Sequence, residues 1–536
     1  SALLPIGIVA HGLSPCFDRD FTRPGRLRPM IERILTVGGF TLLSRISGFI
    51  RDIVLAAVLG AGPVADAFFV ALRLPNHFRA IFAEGAFNAA FVPAYARIRE
   101  QGGAARAGVF ADRIFTLLLA SQVVLLVVAW LFMPQAMSIL APGFSEDAEQ
   151  RKLAIELTRI TFPYLLLITL VTLYGGMLNV MQRFASAAAA SIFLNVAMMM
   201  TLALAAWFPT AGHAAAWGVL ISGFLQYFLL AGDLARHGGL PRFAPLRLDE
   251  DIRDFFKALG PATLGSMGTQ VALFADTIIA TFLPAGALSA LYYADRLNQL
   301  PIGVIGIAIG TVLLPEMSRR LTANDVTGAS AAQRRAFEFS LLFSVPFVAA
   351  FLTVPDVIMR AMFARGAFSK ADAAAAGATL AAYAIGLVPF VTIRSAVATF
   401  YARQDTATPM KAALTGIAVN VALKVALMGA LAQIGLALAT AIGAWVNLLL
   451  VLFFVAGVVL WRQVRPSYGA LVIAMCLVLT FSGNPQSINR YVAVLFPVFI
   501  LLARIRSEPV RNAIALVFVM GLALETYLFV NALWAG

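Results

Sequence analysis

The chain has 536 residues, of which 61% are hydrophobic and 12% charged, and its formal net charge is +13. A soluble domain carries roughly twice that charged fraction, so the composition excludes an ordinary soluble protein. Runs of about 20 apolar residues recur along the chain, and each can cross a hydrocarbon core of roughly 30 Å. Because backbone groups in lipid must be satisfied within the segment, these runs predict an all-α polytopic membrane protein.

In chain order, residues 1–29 read as an N-terminal leader or cloning remnant. Twelve predicted spans follow, at 33–60, 64–98 (broken), 107–133, 153–181, 186–207, 213–236, 253–283, 286–318, 333–353, 373–402, 408–430 and 434–461. Two or three C-terminal helices complete the chain at 463–536. Cys16 and Cys476 lie far apart, and the four histidines show no ligand spacing. The sequence therefore predicts no metal site and no cofactor.

Lysine and arginine are concentrated in every second connection between the spans. The connections at 60–64, 208–212, 284–287 and 431–436 hold no charge, whereas the alternate ones hold clusters such as Arg97, Arg99 and Arg106. Positive residues favour the cytoplasmic side, so the N-terminus is predicted to be cytoplasmic. The net charge is mostly this topology signal, and we do not expect a nucleic-acid partner.

Ionisable residues also lie inside the predicted spans. A charge in hydrocarbon costs at least a few kcal/mol, so such residues normally face a bundle interior or a wet cavity and mark a transport pathway. Arginine binds phosphate bidentately and stays charged, so this pattern predicts transport of an anion. The candidate substrate-binding residues are Arg45, Arg51, Arg73, Arg79, Arg296 and Arg394. The candidate gate or charge-pair residues are Asp52, Asp66, Glu84 and Asp295, and the candidates for cation coupling are Asp276 and Asp405.

Some of these residues have a structural interpretation beside the functional one. Arg45 and Asp52 are seven residues apart and share a helix face, so Arg45 either pairs with Asp52 or faces the substrate. Asp66 follows a glycine turn and either caps its helix or belongs to a gate. Asp295 and Arg296 are adjacent and point about 100° apart, so we assign Arg296 to the substrate and Asp295 to packing or to a contact between the lobes.

The second predicted span is broken. Pro75 lies between Arg73 and Arg79, and Pro93 follows. Proline removes an intrahelical hydrogen bond and kinks a helix, and broken helices at membrane depth are tolerated where they line a cavity. We therefore expect Arg79 at a cavity wall, with Glu84 neutralising it.

The chain also carries an internal repeat. When the sequence is aligned with itself, its two halves match. The identical pairs Asp52/Asp276, Asn195/Asn420 and Gln182/Gln404 are separated by nearly the same number of residues. The repeat predicts two six-helix lobes, an N-lobe at 30–240 and a C-lobe at 250–462. An even number of helices returns the chain to its starting side, so the lobes are predicted to be related by a pseudo-twofold axis along the membrane normal and to enclose a midplane site.

Two sets of motifs carry a family resemblance. The first half contains TLLSRISGFIRD (41–52) and GAGPVADAFFVALRLPNHFRAIFAEGAFNAAFVPAYARIRE (60–100). The second half contains YYADRLNQLPIGVIGIAIGTVLLPEMSR (292–319) and FYARQDTATPMK (400–411). Over roughly 30–462 the chain resembles the MurJ/MviN lipid II flippases of the multidrug/oligosaccharidyl-lipid/polysaccharide exporter superfamily.

The resemblance implies a fourteen-helix transporter of the bacterial inner membrane, with two lobes around a cationic cavity. Its implied substrate is lipid II, an undecaprenyl diphosphate that carries a disaccharide-pentapeptide and moves from the cytoplasmic to the periplasmic leaflet during peptidoglycan synthesis. Such a protein makes and breaks no covalent bond. We also expect contacts with membrane lipids and with a monovalent cation.

Two departures from the family pattern leave alternatives open. Ala80 stands where the family often has a second arginine, and the last 70 or so residues do not look like the family's last two helices. The stretch SGNPQSINRYVAVLFPVFILLARI (482–505) looks more like the tail of polyprenyl-phosphate-dependent mannosyltransferases. The alternatives are another lipid-linked oligosaccharide or drug exporter of the superfamily and, more weakly, a glycosyltransferase-related protein. An arginine-rich pocket disfavours cationic drugs, and the connection at 60–64 lacks a catalytic carboxylate.

Overall fold

The computed structural model describes residues 24–79, 86–245, 247–323 and 325–463. These residues form sixteen α-helices, and no β-strand occurs within these ranges. A 3₁₀ turn at Pro142–Ser145, another at Ala205–Trp207 and a π-helical turn at Ile302–Gly306 interrupt them. The helices are α1 Pro24–Leu59, α2 Pro63–Arg79, α3 Ala86–Leu131, α4 Met133–Leu140, α5 Ala148–Thr161, α6 Tyr164–Val180, α7 Ala185–Ala203, α8 Ala211–His237, α9 Glu250–Thr281, α10 Ala287–Pro301, α11 Ile307–Thr322, α12 Val326–Thr353, α13 Pro355–Phe363, α14 Lys370–Ile385, α15 Leu387–Ala402 and α16 Ala407–Gln463.

The helices fall where the hydropathy pattern predicts spans, and the all-α membrane architecture is confirmed. Within the described ranges, seven helical stretches are long and apolar enough to cross a membrane. α1 begins at Pro24, inside the segment predicted as a leader. The two or three helices predicted at 463–536 lie outside the described residues, apart from the end of α16.

Several predicted spans differ in their continuity from the helices observed. In the second predicted span, Pro75 lies inside α2 and Pro93 inside α3, and residues 80–85 lie outside the described residues. The span at 153–181 is divided, because Pro163 is the N-cap of α6 and cannot continue the hydrogen-bond ladder of α5. The spans at 408–430 and 434–461 form one element, α16, with a non-helical kink at Ala432.

The predicted repeat is present in the secondary structure. Helices α4, α5 and α7 begin at Met133, Ala148 and Ala185, and α13, α14 and α16 begin at Pro355, Lys370 and Ala407, so all three pairs are separated by one constant offset. The same offset relates Gln182 to Gln404, and these two residues occupy the same turn, with φ of 63° and 61°. Positive φ is uncommon for a residue other than glycine. The two halves therefore have the same local backbone conformation at these positions.

The chain divides into two compact units. The first comprises the chain up to Tyr293 together with Asp356–Ala376, and the second comprises Ala294–Pro355 together with the chain from Gly377. The boundaries of these units differ from those of the lobes predicted from the repeat. The lobe boundaries therefore stay a prediction.

The core of the first unit joins α3 to α9 through aromatic rings. Phe91 stacks on Phe87 and Phe110 with ring centroids 5.2 and 5.8 Å apart. Phe255 of α9 meets the edges of Phe87 and Phe110 at 5.9 and 6.2 Å. Offset and edge-to-face aromatic pairs add about 0.5–1.5 kcal/mol each beyond burial. This cluster holds the start of α9 against α3.

Ion pairs reinforce the same contact. Arg106 of α3 binds both carboxylate oxygens of Asp251, at 2.9 and 3.0 Å, and Arg113 pairs with Asp249. Asp249 is also the N-cap of α9, because its side chain accepts from the backbone N–H of Ile252. The start of α9 is thus fixed on α3 by charge as well as by packing.

The core of the second unit is built from α12, α15 and α16. One cluster contains Ala396, Phe400, Ala412, Leu448 and Val451, with Val397 and Trp445 packed against it. Small residues at helix contacts let the backbones approach closely. A Cβ added at Gly416 would stand 2.7 Å from the carbonyl oxygen of Gly443, so the two halves of α16 pack tightly on each other.

The end of α1 has a backbone requirement that can be tested. Gly60 has φ of +68°, and an added Cβ would stand 2.6 Å from the Ala367 oxygen. We expect Gly60→Ala to combine positive-φ strain with overpacking and to destabilise the protein by about 2–4 kcal/mol. Thermal unfolding in detergent measures the effect.

The matched control is Gly286→Ala. Gly286 has φ of +87°, but the nearest atom to its added Cβ is 3.6 Å away. The control therefore reports strain alone, about 1–2 kcal/mol. Equal melting temperatures for the two variants would show that the contact with Ala367 does not matter.

Candidate functional site

Arg51 is held by polar side chains from two helices of the first unit. Its Nε and Nη2 donate to Oδ1 of Asp52 at 3.1 and 2.7 Å, and its Nη1 donates to Oδ1 of Asn195 at 3.0 Å. Asn195 lies on α7 and donates to the Ser44 carbonyl oxygen and the Ser47 hydroxyl of α1. The cluster therefore joins α1 to α7 and fixes the orientation of the guanidinium group.

Asp52 accepts hydrogen bonds from two side chains. It is buried, and in addition to Arg51 it accepts a 3.4 Å hydrogen bond from the hydroxyl of Tyr292. Tyr292 stacks on Phe69 with the ring centroids 4.0 Å apart. Burying a carboxylate without a partner is strongly unfavourable. The Arg51 pair therefore offsets the cost of placing Asp52 in the interior, whereas Arg45 is exposed on α1.

Asp66 joins α2 to the start of α10. Its Oδ2 accepts from the backbone N–H of Gly286 at 2.7 Å, and its Oδ1 accepts from the backbone N–H and the hydroxyl of Ser289 at 2.8 and 2.5 Å. Carboxylates satisfy the free N–H groups at a helix N-terminus. The sequence suggested a cap for the helix of Asp66 itself, but its oxygens cap a different helix, from the second half of the repeat.

Arg73 and His77 connect the middle of α2 to α9. Nη1 of Arg73 donates to the hydroxyl of Thr277 at 3.0 Å. His77 is buried and stacks on Phe274 with the ring centroids 4.2 Å apart, and its ring nitrogens lie 3.4 Å from Gln270 Oε1 and Thr277 Oγ1. Asp276, the candidate coupling residue, is half-buried beside this contact.

Arg79, at the end of α2, lines a cavity of about 210 Å³ inside the first unit. This cavity lies within the first unit, and the predicted role of Arg79 in a substrate cavity between the lobes stays a prediction. Its proposed neutralising partner, Glu84, lies outside the described residues. Polar side chains of α3, α6, α7 and α8 also line the cavity.

The second unit contains the other predicted residues. Asp295 and Arg296 are half-buried on α10, and Asp295 accepts from Nε2 of Gln299 at 2.5 Å. The exposed Arg394 lies over the π-helical turn, because a Cβ added at Gly306 would stand 3.3 Å from its Nε. π-helical turns occur frequently at functional sites.

Asp405 caps α16. Its Oδ1 accepts from the backbone N–H groups of Ala407 and Thr408 at 3.1 Å each, and its Oδ2 accepts from the Thr408 hydroxyl at 2.7 Å. Desolvation raises the pKa of Asp405, but the hydrogen bonds from Thr408 and Ala407 outweigh it and hold the pKa below its usual value. The geometry gives Asp405 a structural role, and its role in cation coupling stays a prediction.

Several residues of these clusters were not predicted from the sequence. Asn195 was noted only as a repeat match, and Thr277, Ser289 and His77 were not singled out as site residues. Asn195, Thr277 and Ser289 are partners of predicted charges, and His77 contacts Thr277. The repeat pair Asn195/Asn420 is the one sequence signal that could have marked the first of them, because a buried asparagine in an apolar helix needs a hydrogen-bond partner.

The fold is shared with solved membrane transporters. A structure described as the lipid II flippase MurJ in an inward closed conformation matches with a TM-score of 0.69 at 23% identity, covering 87% of this chain and 97% of that one. An inward-facing multidrug resistance MATE family transporter of the MOP superfamily matches with a TM-score of 0.62 at 14% identity, covering 82% and 98%. The chain is therefore a multi-pass helical membrane protein with the MOP transporter fold.

Sequence comparison identifies the family. The model of the family described as lipid II flippase MurJ matches residues 55–502. A probable lipid II flippase MurJ of Rhizobium tropici is 40% identical over 429 residues, covering 78% of this chain and 79% of the relative. The lipid II flippase MurJ of Burkholderia cenocepacia is 33% identical over 426 residues, covering 78% and 83%. The chain belongs to the MurJ family, and the match extends past 462 into the segment expected to depart.

The Asp66 contact predicts graded losses of stability. Asp66→Ala leaves two backbone N–H groups and one hydroxyl without their acceptor, so we expect a loss of roughly 2–4 kcal/mol. Ser289→Ala removes one of the three donors, and we expect about 1 kcal/mol. Melting temperatures in detergent compare the two variants. Equal losses would contradict the assignment of both backbone N–H groups to Asp66.

The Asp405 cap predicts a pH dependence. Its folded pKa lies below the unfolded value of about 3.9, so its contribution is present above that pH and is lost as pH falls through the folded pKa. We expect Asp405→Ala to cost about 1 kcal/mol at pH 7 and progressively less below about pH 4. Thr210→Ala is the control, because Thr210 caps α8 with a hydroxyl that does not titrate. A pH-independent difference for Asp405→Ala would contradict the cap.

Proposed function

We propose that this protein is a lipid II flippase. It moves the undecaprenyl-diphosphate-linked peptidoglycan precursor from the cytoplasmic to the periplasmic leaflet by alternating access between two lobes. The observation that carries this proposal is membership of the MurJ family over residues 55–502, with relatives that are named lipid II flippases and that align over about four fifths of their length.

The proposed substrate site uses the intramembrane arginines. Arginine is the side chain best suited to a diphosphate, because its planar fork binds two oxygens and its charge is independent of pH. We propose that Arg45, Arg51, Arg73, Arg79, Arg296 and Arg394 contact the substrate during the cycle. The fixed guanidinium of Arg51 supports this, because its orientation is set before the substrate arrives and less ordering is needed on binding.

The acidic residues are assigned to gating and coupling. We propose that Asp66 belongs to a gate that opens when its hydrogen bonds to Gly286 and Ser289 are broken. Asp52, Glu84 and Asp295 act as charge partners of neighbouring arginines. Asp276 and Asp405 are the proposed sites of coupling to a monovalent cation.

The proposed location is the bacterial inner membrane, in contact with its lipids and with the N-terminus in the cytoplasm. The concentration of lysine and arginine in every second connection supports this orientation. The protein is proposed to be a transporter that makes and breaks no covalent bond.

Complementation tests the proposed function. The chain is expressed in a bacterium depleted of its own lipid II flippase, and growth and the exposure of lipid II on the outer leaflet are measured. Rescue is expected. Failure of rescue by protein that is expressed at normal level in the membrane would overturn the proposal and favour another exporter of the superfamily.

Arg51 gives a sharper test of the site. Arg51→Lys keeps the charge, but lysine lacks the planar guanidinium that hydrogen-bonds Asp52 and Asn195 at the same time. We therefore expect transport in proteoliposomes to fall roughly tenfold. Arg51→Ala alone would leave Asp52 buried and uncompensated. The double variant Arg51→Met/Asp52→Asn removes both charges and should keep normal expression but abolish transport.

The control is Arg236→Ala, which removes an exposed arginine from the last turn of α8 and should leave transport unchanged. Transport at the wild-type rate by the double variant would remove Arg51 from the substrate site.

A further inference from the structure

Two loops and two helix ends meet within the first unit. The first loop, residues 141–147, joins α4 to α5, and the second loop, residues 364–369, joins α13 to α14. The helix ends are those of α1 and α9. All four segments belong to the first unit, although the repeat assigns the first loop and α1 to one copy and the second loop and α9 to the other. The contacts between them therefore join the two copies.

The first loop packs on the end of α9. The backbone N–H of Gly143 donates to the hydroxyl of Thr281 at 3.3 Å. The two backbones are so close that a Cβ added at Gly143 would stand 2.6 Å from the backbone nitrogen of Phe282. Glycine permits this approach because it has no Cβ. The next residue of the loop, Phe144, is buried.

The second loop packs on the end of α1 in the same way. The backbone N–H of Ala367 donates to the carbonyl oxygen of Ala57 at 2.7 Å. Gly366 has φ of +59°, and a Cβ added there would overlap this carbonyl oxygen. The next residue, Phe368, is buried and meets the ring of Tyr293 edge-on with the ring centroids 5.2 Å apart. Each loop thus reaches a helix backbone through a glycine and is held by a buried phenylalanine.

The two contacts are equivalent in the repeat. At the spacing of the aligned aspartate pair, residues 143–145 (Gly-Phe-Ser) correspond to 367–369 (Ala-Phe-Ser), and Ala57 corresponds to Thr281. The donor in each contact is therefore the residue before the buried phenylalanine, and the acceptor is the equivalent residue of the other copy's first helix. In a twofold arrangement residue i contacts j and j contacts i, and this chain reproduces that reciprocity internally.

The axis of this symmetry passes between two glycines. Gly62 and Gly286 correspond at the same spacing, and a Cβ added at Gly286 would stand 3.8 Å from the backbone nitrogen of Gly62. Residues that touch their own equivalents lie at a twofold axis. Asp66 does not follow the symmetry, because Ala290 stands at its equivalent position and cannot accept hydrogen bonds with its side chain. The loop contacts occur twice, whereas the cap by Asp66 occurs once.

Reciprocal contacts around one axis cannot be broken independently by a movement of whole helices. If the end of α9 leaves the end of α1, each loop moves with its own copy and loses the helix end of the other copy. Each contact contains one hydrogen bond between neutral groups, and neither contains an ion pair. Such a contact is weak enough to break and form again in every cycle.

We propose that the two loops form a clasp, Gly143 on Thr281 and Ala367 on Ala57, whose two contacts open and close together. The ends of α1 and α9 lead into the uncharged connections, which the charge bias assigns to the periplasmic side. The clasp is then closed while lipid II enters from the cytoplasm and opens for its release. This assignment of steps rests on the proposed function, whereas the coupling of the two contacts does not.

Hydrogen exchange reads both contacts in unaltered residues. The full-length protein is placed in lipid nanodiscs, where both faces meet water, and the exchange of the Gly143 and Ala367 N–H groups is measured by mass spectrometry with electron-transfer fragmentation. The exchange rate of an amide follows the population of the state that exposes it. We expect both amides to be protected in the wild type, and to the same degree, because one opening exposes both.

Each variant alters one contact and is read at the other. Gly366→Ala places a methyl group against Ala57 and should speed the exchange of Gly143 at least roughly tenfold. Gly143→Ala should do the same for Ala367. Thr281→Val is a milder variant that keeps the shape of the side chain and removes the acceptor. It should speed the exchange of Ala367 roughly fivefold, and it carries the test if an alanine variant does not fold.

Two further glycines supply the controls. A Cβ added at Gly62 meets no atom of the described residues within 4 Å, so Gly62→Ala should leave both exchange rates unchanged. A Cβ added at Gly218 would stand 2.8 Å from the Cα of Met198, so Gly218→Ala overpacks α7 and α8 inside the first copy. It should lower the melting temperature without changing the exchange of Gly143 or Ala367.

Three results would contradict the clasp. Faster exchange that stays confined to the altered contact would show two independent contacts. The same acceleration in Gly218→Ala would show a general loosening of the unit. Exchange of both amides at the unprotected rate in the wild type would show that neither contact persists in the membrane.

Transport in proteoliposomes separates this inference from the proposed function. Gly143→Ala and Gly366→Ala should each slow the transport of lipid II, and the double variant should be no slower than the slower single variant, because either change opens the same clasp. Multiplied effects in the double variant would contradict a single closure. If the wild type transports no lipid II, the proposed function fails, and the coupled exchange of the two amides stands by itself.

Discussion

Every charge that lies among apolar helices needs a partner, and this requirement determines how the first unit is assembled. Arg51 finds Asn195 on α7, Asp66 finds the N–H groups at the start of α10, and Arg73 finds Thr277 on α9. Each partner belongs to a different helix from the charge. The residues that suggest transport are therefore also the residues that hold the helices together.

At the proposed substrate site, this double role limits how tightly a substrate can bind. A phosphate that approaches Arg51 competes with Asp52 and Asn195, which already occupy three of its N–H donors. Only the difference between the new and the existing hydrogen bonds contributes to binding. A transporter benefits from such compensation, because a substrate held too strongly is not released on the other side.

Much of the fold could be predicted from the sequence, because it follows from the length of the apolar runs and from the internal repeat. The nearly constant offset of the repeat is an example. The neutral partners could not be predicted: Thr277 and Ser289 look like many other polar residues, and their role depends on which helix faces them. The ion pair between Arg51 and Asp52 could not be predicted either. Adjacent residues point in different directions on a helix, and the pair forms because the long arginine side chain folds back to its neighbour.

The repeat shows where stability and function separate. Leu448 and Val397 belong to an apolar core in the second unit, whereas Gln226 and Gly175 line a cavity in the first. A buried amide without a partner costs roughly 1–3 kcal/mol, and missing side-chain volume costs more. Packing alone would favour a filled apolar core in both units. The first unit, which contains the cavity, is therefore the one whose local sequence departs from the most stable packing. Such a departure is expected where a site has to accept a ligand.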